Sequence, residues 1–492
     1  MVRIEWPLHI VRRIVFGTVA AVVLAMGGWL GVNWLETARA RCADGVVKQG
    51  ADNECVGITD GSYVFAGHLA AVEKKIREEN ARVEKAAGKE PYVSVAYLTS
   101  FTVTDDDSNS PESVRHELEG AYLAQYRHNR GDLSASPKIK LLLANPGSNS
   151  VHWRYTVDQL IARQHTKDRL VAVTGLGPST DENVAAVKLM SDHGIAMVAS
   201  TMTATSIQGI HDFVRVAPTN IDEAYAASAY LKRKKFRTAV VVQDAARGNL
   251  YAATLGSAFT KAYPDTADHR LVAETMTYDS SVHDAWLNEL HFMSGQLCDQ
   301  KPQVIYFAGR GRHLTHFLDA LSNRACQDQR FTVMAGDDTT NLTAEQLADA
   351  ARTRINVLYT GLAHPDMYTT NPEAVSAPSA AFFAEGGLLD TWFPTDPRDD
   401  GQAIMSHDAV LTAAIGAQMA ARGQAEVTGD GVARMFHQMN GHQQVAGASG
   451  FLSFQNNGNP RDKAVPVLRL TAGGRAVFVE VSAARGKPQE EQ

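Results

Sequence analysis

From residue 92 the chain alternates between short apolar, β-branched runs and longer amphipathic stretches, and this alternation limits the fold more than any other feature. VSVAYL (93–98), IKLLLA (139–144), LVAVTG (170–175), IAMVAS (195–200) and FVRVA (213–217) form a first series of runs. TAVVVQ (238–243), LVAETMTY (271–278), VIYFAG (304–309), FTVMAG (331–336) and VLYTGL (357–362) form a second. Helical stretches such as YTVDQLIARQ, ENVAAVKLMSDHG and HLTHFLDALSNRA lie between them. Continuously apolar strands separated by amphipathic helices belong to parallel sheets covered on both faces. The runs outnumber what one sheet comfortably holds, so two doubly wound α/β lobes are expected. APTN (217–220) and GLAHPD (361–366) mark the expected crossings. Lobe 1 then takes residues 92–219 and 361–440, and lobe 2 takes 220–360. Residues 441–484 are read as C-terminal strands joining lobe 2, and 485–492 as a tail.

The first 91 residues read differently. Ile14–Leu35 carries no charge over about 22 positions, enough to span a hydrocarbon core as a helix. Arg3, Arg12 and Arg13 precede it, which places residues 1–13 in the cytoplasm and the remainder outside. A cleaved signal peptide ending at Ala38-Arg39-Ala40 is the alternative, but signal cores are shorter than this run. Residues 36–91 are then an extracellular juxtamembrane segment. Within it Val72, Ile76 and Val83 fall at helical spacing and form a thin apolar stripe on a helix with a solvated face.

All four cysteines lie beyond the hydrophobic segment, as in an exported chain. An even count in an oxidising compartment favours disulfides, and proximity pairs Cys42 with Cys55 and Cys298 with Cys326. Each closed loop is worth about 3 kcal/mol in the chain-entropy model. No Cys/His spacing resembles a zinc site, and HEL (116–118) lacks the second histidine of a metalloprotease helix. No metal and no cofactor are expected. A net charge of −7 argues against nucleic acid as a partner.

The stretch AVTGLGPSTDE (172–182) joins a strand to a helix, with Ser179-x-x-Glu182 reading as a capping box. Loops at the carboxyl ends of parallel strands bind ligands, and free amides at a helix start suit an anion. The phosphate signatures fail: no Gly-Lys-Ser/Thr follows, and Gly175-Leu-Gly177 lacks the third spaced glycine. STMTATS (200–206) follows the next strand. Two adjacent hydroxyl-rich loops suit a small carboxylate, and plain helix caps are the alternative.

GLGPSTDENVAAVKLMSDHGIAMVASTMT followed by FVRVAPTNIDEAYAASAYL resembles lobe one and the first hinge of type I periplasmic solute-binding proteins, the branched-chain amino-acid-binding group. The likeness continues through VVVQDA, VIYFAGRGRH, VMAGDD, SHDAVLTAAIGAQM and GASGFLSFQNNGNPRDKAVPVLRL, covering residues 92–482. The resemblance implies two lobes joined by three crossovers, closing on a small-molecule ligand, with an ABC permease as membrane partner. It places the ligand carboxylate on Ser179, Thr180 and one of Thr201, Thr203 and Thr205. It places the acid that receives a ligand ammonium on Asp337 or Asp338.

One departure bears on the ligand. Where this family commonly presents an aromatic residue, the chain has Arg310-Gly311-Arg312-His313. An arginine in a cleft pairs bidentately with a second acidic group, or else Arg310 pairs with Asp337 or Asp338. TDDDSNSPES (104–113) reads as an acidic, solvated rim loop before a helix start at Ser110-Pro111, lacking the spacing of a calcium loop.

The expected function is capture of an amino-acid-like or carboxylate ligand for an ABC permease. A ligand-sensing ectodomain acting through a partner chain is the alternative within the same class. An extracellular α/β hydrolase is the alternative from another class. No G-x-S-x-G elbow occurs, and GASG (447–450) lacks its spacing and its preceding strand.

Overall fold

The computed structural model describes residues 40–482, apart from 266–267, 283–284, 354, 395–397, 423 and 425, together with scattered positions before residue 27. Most of the Ile14–Leu35 segment lies outside the described residues. Among the described residues, no helix is long and apolar enough to cross a membrane.

One sheet contains β1 (Arg41–Ala43), β2 (Val46–Gln49), β3 (Glu54–Thr59), β4 (Tyr92–Leu98), β5 (Lys138–Asn145), β6 (Leu170–Gly175), β7 (Ala196–Ala199) and β8 (Phe213–Arg215). Its order is β1-β2-β3-β5-β4-β6-β7-β8. β4 to β8 run parallel, as their unbroken apolar runs require, and β3 joins β5 antiparallel. The other sheet contains β9 (Thr238–Asp244), β10 (Arg270–Leu271), β11 (Met276–Tyr278), β12 (Val304–Ala308), β13 (Thr332–Ala335) and β14 (Asn356–Thr360). A small hairpin, β15 (Val445–Ala446) with β16 (Phe451–Leu452), follows late in the chain. β17 (Val465–Leu470) and β18 (Ala476–Ser482) then extend the second sheet antiparallel beyond β14.

Helices α1 (Ala70–Ala86), α2 (Pro111–Arg130), α3 (Trp153–Arg163), α4 (Asp181–Asp192), α5 (Asn220–Arg233) and α6 (Leu250–Ala262) come in chain order. They are followed by α7 (Ala285–Gln300), α8 (Gly311–Ser322), α9 (Ala344–Arg352), α10 (Gln402–Ala420) and α11 (Gly429–Phe436). α1 to α4, α10 and α11 belong to lobe 1, and α5 to α9 to lobe 2. α2 and α10 cross so closely that a Cβ on Gly120 would lie 1.9 Å from the Ala403 carbonyl oxygen, which only glycine avoids. The chain passes between lobes after β8, after β14 and before β17.

The structure departs from the sequence reading in four places. Residues 41–59 do not form a separate juxtamembrane segment, because they pair as β1–β3 along the edge of the lobe 1 sheet. α1 is no solvated helix either. Val72, Ile76 and Val83 are buried together with Glu73, Glu79 and Asn80. The run 271–278 divides into β10 and β11, which pair with opposite ends of β9 and are separated by residues 272–275. The cap of α4 is Thr180, one residue later than expected, because Ser179 turns toward another loop.

The burial of α1 has a hydrogen-bonding cause. β3 covers only Leu143–Asn145 of β5, which leaves the earlier half of that strand edge to side chains. Asn80 completes it by donating to the Leu141 carbonyl at 2.7 Å and accepting from the Leu141 N–H at 2.9 Å. Asn129 repeats the arrangement at Ile139, at 2.9 and 2.7 Å. Two amide side chains therefore stand in for a missing strand. Asn80→Ala strands both Leu141 groups and is expected to cost about 2–6 kcal/mol, at about 1–3 kcal/mol for each buried orphan. Urea unfolding measures it, and a loss under about 1 kcal/mol would show that water replaces the amide.

Both disulfides form as expected. Cys42–Cys55 has a Cα–Cα distance of 6.1 Å and Cys298–Cys326 one of 5.7 Å. Cys55 and Glu54 sit together on β3, and Glu54 accepts from the Ser148 N–H at 2.7 Å. The stapled hairpin thus braces a loop that borders the interlobe cleft.

Candidate functional site: the interlobe cleft

Each sheet has one point where consecutive strands lie on opposite sides of their predecessor. In lobe 1, β5 and β6 flank β4; in lobe 2, β10 with β11 and then β12 flank β9. Loops at the carboxyl ends of strands diverge at such switch points and leave a crevice. The two crevices face one another across a cavity of about 250 Å³. Lobe 1 contributes Thr99, Ser100, Asn109 and Thr180, with Asp106, Asp107 and Glu182 at the acidic side. Lobe 2 contributes Arg247, Asn249, Ser280, Arg310, Arg312 and His313.

The loop after β6 is held by its own groups. Gly177 has φ +67°, and a Cβ there would lie 2.7 Å from Asn183 Nδ2, which itself donates to the Pro178 carbonyl. Thr180 Oγ1 accepts from the Asn183 N–H at 3.4 Å and starts α4. Ser179 Oγ accepts from the Ala204 N–H at 3.1 Å and ties this loop to the next. Both hydroxyls keep a proton to donate, but among the described residues only Thr180 of this pair lines the cavity.

The second hydroxyl loop serves the hinge. Thr203 is buried, and its carbonyl accepts from Asn220 N–H at 2.8 Å; Thr205 Oγ1 accepts from Ile221 N–H at 3.3 Å. Both bonds anchor the start of α5, just after the first crossing. Arg215 lies beneath the loop, fully buried, and donates to the Met202 and Ala204 carbonyls at 2.8 and 3.0 Å. Burial lowers its guanidinium to about 9. Thr201 is half-buried, and none of Thr201, Thr203 and Thr205 is among the described lining of the cavity.

On the lobe 2 side Arg310 pairs with Asp338 at 3.2 Å, the second of the two roles open to it from sequence. Its other nitrogen donates across the cleft to the Ser179 carbonyl at 3.1 Å. Asp338 Oδ1 also accepts from Ser108 Oγ of lobe 1 at 2.9 Å and from Asn341 at 3.2 Å, while Oδ2 accepts from Gly311 N–H at 2.6 Å. Asp337 points away from the cleft toward Glu223 of α5. Its backbone N–H donates to Glu223 Oε2 at 3.2 Å, and Thr360 donates to the same oxygen at 2.7 Å. Burial, and after it the neighbouring Asp338, pushes Asp337 up to about 7. Burial and then Asp337 hold Glu223 well above the usual carboxylate range.

Further polar bonds close the lobes on each other. Arg312 meets Asp105 and Asp106 at 3.1 and 3.2 Å, the Ala344 N–H donates to Glu112 at 3.2 Å, and Gln402 donates to Asn341 at 2.9 Å. The acidic rim loop thus receives an arginine from the opposite lobe. His313 lies 3.1 Å from the Tyr278 hydroxyl and under the Trp286 ring at 4.6 Å. Burial, followed by the Arg312 charge, lowers it to about 4, so it is neutral at pH 7.

Sequence reasoning missed Arg247, Asn249 and Ser280 on lobe 2 and Thr99 and Asn109 on lobe 1. Arg247 and Asn249 follow β9, and Thr99 follows β4, so the strand-end rule applied to every strand would have found them.

The hydrolase alternative centred on GASG meets a buried cluster. Ser449 Oγ bonds Asp408 and Lys463, which is the company a serine nucleophile keeps, and burial lowers Lys463 to about 8. Ser449 and Asp408 are 0% exposed and Lys463 3%, so no substrate carbonyl reaches the hydroxyl. The cluster instead fixes the turn before the third crossing.

No family model and no curated protein matches the chain. Solved structures do. A leucine-binding protein from Thermotoga maritima aligns with a TM-score of 0.62 at 17% identity, covering 81% of this chain and 100% of that one. A branched-chain amino acid transporter substrate-binding protein from Streptococcus pneumoniae, in complex with isoleucine, gives 0.59 at 16%, covering 79% and 99%. A solute-binding protein from R. palustris in complex with benzoate gives 0.58 at 15%, covering 80% and 97%. The chain therefore has the two-lobed α/β fold of ABC-transporter substrate-binding proteins, the type I periplasmic binding fold.

Proposed function

We propose that the protein captures a small amino-acid-like or carboxylate ligand between its lobes, outside the cytoplasm, and presents it to an ABC permease. The observation that carries this reading is the cavity itself, built from the switch-point loops of both lobes. A ligand there touches both lobes at once and stabilises their closure, which is the signal a permease can read. Two disulfides support an oxidising compartment, and Ile14–Leu35 supplies the membrane anchor in this reading.

Titration calorimetry with amino acids and short carboxylic acids, followed by NMR of the recovered compound, tests the proposal. The expected result is saturable binding with the ligand returned unchanged. Conversion of the compound, or no saturable heat with any of them, refutes it. Thr180→Ala, which removes the hydroxyl of this loop that lines the cavity, is expected to weaken binding by up to about tenfold, the equivalent of one hydrogen bond to the ligand. Unchanged affinity would place the ligand away from this loop.

A further inference from the structure

The character of the cleft wall restricts the ligand further, given the solute-binding reading on which this inference rests. Among the described lining residues, Pro178 is the most apolar. Ligand pockets ordinarily draw their energy from apolar walls with a few polar groups. Here an aliphatic or aromatic ligand group would meet hydroxyls, amides and charges, and would strip their water without replacing the hydrogen bonds. At about 250 Å³ the cavity lies just below the roughly 300–1,000 Å³ range of ordinary ligand pockets. It suits a small hydrophilic compound.

The charges of the two walls are segregated. Asp106, Asp107 and Glu182 come from lobe 1, whereas Arg247, Arg310 and Arg312 come from lobe 2. Among the described lining residues, lobe 2 presents no carboxylate to an ammonium group. Both oxygens of Asp338 are taken by Arg310, Ser108, Asn341 and Gly311, and Asp337 faces Glu223. Arg247 is exposed and, among the described residues, makes no ion pair; Glu182 opposite is likewise exposed and unpaired.

We infer that the ligand is a small hydrophilic anion whose acidic group faces Arg247 of lobe 2, with hydroxyl or ammonium donors facing Glu182 and the polar side chains of lobe 1. This polarity is the reverse of the one implied by the sequence resemblance, in which lobe 1 holds the carboxylate. Leucine, isoleucine and benzoate do not satisfy it, because each fills its far end with hydrocarbon.

Calorimetry of the full chain in detergent tests this with L-malate and L-glutamate against L-leucine, L-isoleucine and benzoate. A polar acid is expected to bind at least about a hundredfold more tightly than the apolar three. Arg247→Gln is expected to weaken it about 10–100-fold, the equivalent of one charge-assisted hydrogen bond, with the unfolding temperature unchanged. Glu182→Gln is expected to weaken glutamate more than malate, since only glutamate carries a cation for that carboxylate. Tighter binding of leucine, isoleucine or benzoate overturns the inference and leaves solute capture standing. So does binding of a polar acid that Arg247→Gln leaves untouched. Binding of none of the five overturns the inference and removes the support for solute capture as well.

Discussion

Asp408→Ala lowers the unfolding free energy by about 3–5 kcal/mol, the range for removing one partner of a buried, hydrogen-bonded charge cluster. Asp408 lies in α10 with no exposed surface and accepts from the Ala448 and Ser449 N–H groups at 2.9 and 2.8 Å. His407 Nδ1 is 2.8 Å from Asp408 Oδ1, the oxygen that also accepts from Ala448. Arg127 donates to His407 Nε2 at 3.0 Å, which leaves the imidazole proton on Nδ1, directed at Asp408. Burial raises the Asp408 carboxyl, but the hydrogen bond from His407, the Lys463 charge and the Ser449 hydroxyl outweigh it and hold it below the usual range. Alanine would strand two backbone N–H groups and leave Lys463 inside the protein without its counter-charge. Urea unfolding measures the loss. Asp408→Asn, which keeps one accepting oxygen, is expected to lose less. A loss under about 1 kcal/mol for alanine would mean that the turn at 447–450 refolds around the gap.

Asp337→Asn is expected to gain about 2–4 kcal/mol relative to wild type between pH 4 and pH 8.5, at about 1.4 kcal/mol per pK unit. The carboxyl moves from an ordinary value of 3.8 up to about 7 in the folded protein. A group raised in this way binds its proton more tightly when folded. Its contribution is therefore present below about pH 4 and lost as pH rises through about 7. Glu223 shifts in the same direction, Tyr251 and Tyr306 face the same pair, and Arg310 beside Asp338 is the nearest cation. Above neutrality, wild type must hold two adjacent acids in a closed interior. Asparagine has no proton to give up, so the difference between variant and wild type isolates this group from Glu73 and Glu117, which burial also pushes up to about 7. Thermal unfolding at pH 4, 6 and 8.5 reads it. A pH-independent difference would sink the assignment.

Local signals in the chain were enough to establish the two parallel-sheet lobes, most of their helices and both disulfides. Unbroken apolar runs such as LVAVTG can be satisfied only between two helical layers. Hydroxyls at Ser110, Thr180 and Thr219 start helices through bonds only three residues long. What the sequence could not determine depends on partners far apart along the chain. Arg310 reaches the Ser179 carbonyl over a sequence separation of 131, and Ser108 reaches Asp338 over 230. Only folding decided that Asp338 is saturated, that Asp337 faces Glu223, and that Thr203 and Thr205 serve the hinge. The same holds for α1: its stripe of Val72, Ile76 and Val83 is thin, and its burial rests on Asn80 meeting Leu141 over a separation of 61. A side chain's type sets which bonds it can make, and the sequence displays that type. Which donor or acceptor lies within 3 Å of it is decided when the two sheets and their crossovers close around one another.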